Sequence, residues 1–179
     1  MEPWFVATEK FGPASGQSWK NYQGWSKLSH LTELVTLDPA LCPTVLSDIK
    51  KEYWPYIVNE DFMIKFFVDF EFFMSQVSDY TEKNILCVFR NPPKPPTLPR
   101  TLQNFAFLGY DLTDVEVGTS ALSNCGEFPE VFVSSDLSTM GLLTTHSRAV
   151  EVQAKLRELY PNESHANCHF WAIFRKIDK

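Results

Sequence analysis

An α+β domain is expected from this chain. Short apolar runs with strand character are interleaved with segments whose apolar residues recur at helical spacing. At 179 residues, with 44% hydrophobic and 21% charged side chains, the length and composition suit one globular domain over residues 1–179. Such a chain buries roughly 70% of its unfolded surface and needs no disulfide or metal staple. The architecture predicted is a mixed or antiparallel sheet of about four to six strands with three helices packed against it.

Residues 1–20 are rich in Gly, Pro, Ser and aromatics, as in Phe11-Gly12-Pro13-Ala14-Ser15-Gly16. They read as an N-terminal arm pinned to the body by Trp4, Phe5 and Trp19. Leu28 to Leu37 sets Leu28, His30, Thr32, Leu34 and Thr36 against Leu31, Val35 and Leu37, which predicts a strand ended by Asp38-Pro39. Thr44 to Tyr53 predicts a short helix with Val45, Leu46, Ile49 and Tyr53 on one face, stopped by Pro55. A longer helix is expected over Glu60 to Val77. Asn59 would cap it, and Phe62, Met63, Phe66, Phe67, Phe70, Phe73, Met74 and Val77 would form its apolar stripe.

Asn84 to Arg90 reads as a buried strand. Residues 91–100 follow as a stiff inter-strand loop, because Pro92, Pro93, Pro95, Pro96 and Pro99 lack the N–H that a helix or ladder needs. Phe105 to Val117 resumes as a strand kinked at Gly109. Gly118 to Gly141 is loop-like, with a short strand candidate at Glu130 to Val133. A last helix starts at a Thr144 or Thr145 cap and runs to Tyr160, with Ala149, Val152, Leu156 and Leu159 inward; Pro161 ends it. Asn167 to Ile177 is apolar on both faces and is expected as a central strand.

The formal charge is −6 and the pI about 5.2. That balance argues against nucleic-acid binding, which depends on Lys and Arg neutralising phosphates, and it favours a basic partner. No apolar leader opens the chain. The longest apolar stretch, Phe62 to Met74, contains Lys65, Asp69 and Glu71 and is too short to span a bilayer. A cytoplasmic protein without membrane contact is expected.

Candidate chemistry is sparse. Cys125 lies in a loop, and a His base with an acid could activate it; His146 at a predicted helix start, and Asp111 or Asp114 as the acid, are the residues for those roles. That combination points to a thiol-dependent hydrolase or transferase. His165 and Cys168 have the separation of compact zinc ligands, but a structural site needs four, and no second close pair is present. No cofactor motif occurs. Asp69 and Glu71 diverge on a helix, whereas Asp114 and Glu116 share a strand face, which a solvated surface explains. Arg90-Asn91-Pro92-Pro93-Lys94-Pro95-Pro96 fits an SH3-ligand pattern, yet its place between two predicted strands favours a rigid connection.

Trp4, Trp19, Tyr22 and Trp25 crowd the first 25 residues outside any strong period. Aromatics with polar tips are enriched at interfaces, so these four are the expected binding residues. The reading favoured overall is a small acidic binding protein that occludes a protein partner. Toxin-neutralising immunity proteins are comparable in kind, though no motif carries that analogy.

Overall fold

Five antiparallel strands frame the described part of the computed structural model, which covers residues 2–48, 50–58, 61–123 and 128–177. They are β1 (Trp4–Glu9), β2 (Lys83–Arg90), β3 (Phe105–Asp114), β4 (Thr119–Ser120) and β5 (His169–Lys176), in the spatial order β1-β2-β5-β3-β4. Three α-helices accompany them: α1 (Gln17–Ser26), α2 (Phe70–Gln76) and α3 (His146–Leu159). The result is the single α+β domain expected. No described helix is long and apolar enough to cross a membrane.

The predicted β2, β3, α3 and β5 are all present. β5 is central, with Cys87 opposite Phe174 on one side and Leu112 opposite Phe170 on the other. Its alternation divides the core between the two sheet faces. Phe170, Ala172 and Phe174 join Cys87, Phe89 and Leu112 on the first face. Trp171 and Ile173 join Leu86, Val88 and Phe66 on the second. The kink in β3 is a register shift between Phe107 and Gly109. Gly109 has φ +150°, and a Cβ there would stand 2.7 Å from the Leu143 carbonyl oxygen, so glycine suits the bulge. Thr145 caps α3 by accepting from the Arg148 amide at 3.3 Å. Of its predicted inner face, Ala149, Val152 and Leu156 are buried, whereas Leu159 is exposed.

The first 80 residues depart from expectation. The predicted arm contains β1, whose Trp-Phe-Val-Ala-Thr-Glu run pairs with β2 from Trp4 opposite Val88 to Glu9 opposite Lys83. The arm also runs into α1, where Trp19, Tyr22 and Ser26 recur at helical spacing and are buried. Leu28 to Leu37 forms no ladder. Its leucines and Val35 are nonetheless buried, and the Thr32 and Val35 amides donate to the carbonyls of Thr139 and Met140.

The predicted helix at Thr44 to Tyr53 is replaced. Residues 43–45 run beside β1, with the Glu9 amide donating to Pro43 and the Val45 amide to Ala7, both at 2.9 Å. A 3-10 segment follows at Lys51–Tyr56 with Pro55 inside it. Ile49 lies outside the described residues. The long helix shrinks to α2, capped by Asp69 accepting from the Phe72 amide at 2.8 Å; the expected cap, Asn59, is outside the described residues. Upstream of Asp69, Phe62, Ile64 and Phe66 are buried at period two rather than helical spacing. Phe5 and Phe67 exchange backbone hydrogen bonds at 2.8 Å each, which ties this strap to the outer edge of β1. Glu130 to Val133 is a turn, and the short strand is β4 instead.

Candidate functional site

The four N-terminal aromatics separate. Trp19 and Tyr22 face inward from α1, and the Tyr22 hydroxyl donates to the Ser123 carbonyl at 2.9 Å. Trp4, half-buried, packs 5.6 Å from the ring of Phe66 and 5.7 Å from that of Trp171. Trp25 is 61% exposed. One turn of helix beyond Tyr22, it lies on the exposed flank of the buried face of α1, its ring 6.1 Å from that of Tyr22. Together with Phe11, Asn21, Tyr22, Ala40 and Leu41 it lines a groove of about 450 Å³. Of the four candidates, Trp25 therefore offers the accessible ring.

Of the thiol constellation, His146 and Asp111 bond to other partners. Cys125 lies outside the described residues. The His146 Nε2–H donates to the Pro92 carbonyl at 2.6 Å, and its ring packs against Tyr110 and Phe170. Asp111 is buried on β3 and bonds elsewhere. Its carboxylate accepts from the Thr36, Thr113 and Ser120 hydroxyls and from the Leu37 and Leu112 amides, at 2.6–2.8 Å. This places Asp111 as an anchor for the chain around residue 36. Asp38 beside it accepts from the Ala40 amide, and burial raises its pKa. Burial likewise pushes the thiols of Cys42, Cys87 and Cys168 up to about 12, which keeps them protonated near neutral pH.

His165 and Cys168 also have separate surroundings. The Cys168 thiol points to the Thr119 carbonyl at 3.8 Å, while the His165 ring packs 5.0 Å from Phe128. Among the described residues no group of three or more His, Cys, Asp or Glu converges as metal ligands would. In the proline segment, the Arg90 guanidinium is drawn in over Phe62 and Trp171, each 5.8 Å from the ring centroid, so the basic end of the SH3-ligand pattern is engaged in the body.

A second cleft, missed at the level of sequence, opens at one end of the sheet and measures about 620 Å³. Arg90 closes β2, His169 opens β5, Asp114 ends β3 with Glu116 just beyond, and Arg157 comes from the last turn of α3. Asn91 follows Arg90 in the left-handed region at φ 45°. Its carboxamide oxygen accepts from the Phe170 amide at 3.1 Å and from Gln153 of α3 at 3.2 Å, and its amide nitrogen meets His169 Nδ1 at 2.6 Å. The other ring nitrogen of His169 contacts the Arg90 guanidinium. Burial and the nearby Arg90 and Arg157 charges lower the His169 pKa to about 4, which leaves the ring neutral at physiological pH. The available signal was the pair of apolar strands whose ends carry Arg90 and His169, legible as a site only once β2 and β5 are known neighbours.

Compared with protein-family models, with curated proteins and with solved structures, the chain matches none.

Proposed function

We propose that this chain is an acidic binding protein that holds a protein partner against the exposed flank of α1, with Trp25 as the anchor. The observation that carries the reading is the exposure of Trp25 at 61% beside a groove, in a helix whose other large rings are buried. An exposed tryptophan supplies a large apolar area with little side-chain entropy to lose, and such residues dominate interface energetics. The formal charge of −6 complements a basic partner and speeds its approach. The partner presents an apolar side chain to the groove and Lys or Arg around it.

Side-by-side capture from native extract with wild type, Trp25→Ala and Trp54→Ala tests this reading. Trp54 is also exposed, at 52%, but lies in the 3-10 segment away from the groove lining. A partner held by wild type and Trp54→Ala and lost by Trp25→Ala is expected, with affinity falling by about 2 kcal/mol or more. Equal retention by Trp25→Ala, or no partner at all, overturns it.

A further inference from the structure

We infer that the cleft between Arg90, His169 and Asp114 binds a small zwitterion, a free amino acid in chemical class, with its carboxylate on the arginines and its ammonium on Asp114 and Glu116. The strand order places these charges. Arg90 lies on β2 and Asp114 on β3, with β5 and His169 between them. Opposite charges thus stand on strands either side of β5, across a neutral centre.

No salt bridge among the described residues includes Arg90 or Arg157. Asp114 and Glu116 act on Arg90 through the field rather than by contact. Arg90 is also fixed in place, over the rings of Phe62 and Trp171 and against His169. A guanidinium held this way presents its remaining N–H groups with little entropy left to lose, and its planar fork suits a carboxylate. Arg157 uses its Nε–H on the Ala166 carbonyl at 3.3 Å, which leaves its terminal nitrogens for the same anion. On the other side, the Glu116 amide donates to Asp114 at 3.0 Å, which steadies the acidic pair.

The charges of the lining residues cancel: two arginines, two carboxylates and a neutral imidazole. A simple polyanion meets repulsion from Asp114 and Glu116, and a simple cation meets it from Arg90 and Arg157. A ligand carrying one charge of each sign is the complement. Pro161 and Ala166 supply the apolar wall for its side chain, and about 620 Å³ lies within the range of small-molecule sites.

Titration of the full chain with each of the twenty common amino acids, read by amide chemical shifts and calorimetry, tests the inference. N-acetylated and C-amidated forms of the best binder, together with inorganic phosphate, serve as single-charge controls. At least one free amino acid should bind saturably and shift the amides of Asn91, Val115 and His169. Each capped form should bind about tenfold more weakly, as should the exposed-site variants Arg157→Gln and Glu116→Gln, because each loses one charge-assisted contact. Unchanged thermal unfolding of both variants keeps the comparison free of folding effects. No saturable binding up to about 10 mM overturns the inference. So does equal binding of a capped form, tighter binding of phosphate, or indifference to both substitutions.

Discussion

The sheet formed by β2, β5 and β3 and the strap of residues 28–69 bury comparable side chains by different means. In the sheet, Leu86, Val88, Trp171 and Ile173 sit on a continuous ladder, and each inward residue is fixed by its register. In the strap, Val35, Leu37, Phe62, Ile64 and Phe66 reach the same core layer without a regular ladder, held by isolated bridges and side-chain anchors. Burial alone therefore does not specify regular structure. What differs is whether the backbone N–H and C=O groups find partners in repeating order or one at a time.

Loss of the Asp111 anchor is the most severe test of that contrast. Asp111→Ala strands the amides and hydroxyls that converge on the carboxylate and should cost about 3–5 kcal/mol. Amide exchange should rise first over residues 34–42, with β2 and β5 protected until global unfolding. Uniform exchange across both regions would show that strap and sheet open as one unit.

Acid should act at the end of the sheet. The folded pKa of His169 lies near 4, below its ordinary 6.5, so the unfolded chain takes up that proton first as pH falls. Stability from this group is complete above about pH 6.5 and is lost as pH drops towards 4; the full shift corresponds to about 3 kcal/mol, which solvent screening of this half-exposed ring reduces to about 2 kcal/mol. Arg90 and Arg157 face the ring and oppose its protonation, while Asp114 favours it. Denaturant midpoints between pH 4 and 7 should fall less steeply in His169→Gln than in wild type; parallel curves would contradict this. The smallest effect belongs to Thr145→Ala, about 1 kcal/mol from the α3 cap, with exchange confined to the first turn.

The same contrast explains what could be read from the residues. Asn84 to Arg90 and Asn167 to Ile177 announce strands because unbroken apolar runs suit positions covered on both faces. Thr145 and Pro161 bracket α3 by local capping chemistry. Phe62 to Phe67 misleads, since Phe62, Met63, Phe66 and Phe67 fit a helical stripe while Phe62, Ile64 and Phe66 also fit a strand. Contact with Phe5, Val115 and Trp171 decides the matter, and no local signal encodes it. Trp25 was legible as a candidate but not separable from Trp19 and Tyr22 without the phase of α1. The Arg90 and His169 cleft depends on residues 79 positions apart.

The chain itself covers part of the sheet's backbone edges on both sides. Residues 43–45 and Phe67 bond the Phe5 amide and carbonyl, the Ala7 carbonyl and the Glu9 amide of β1, and on the far side Tyr110 of β3 and Leu143 bond reciprocally at 2.8 and 3.0 Å. At these positions a foreign peptide, or a second molecule of the same kind, meets backbone groups that already have partners. Strand addition is hindered where the chain covers its own edge, so recognition there falls to side chains.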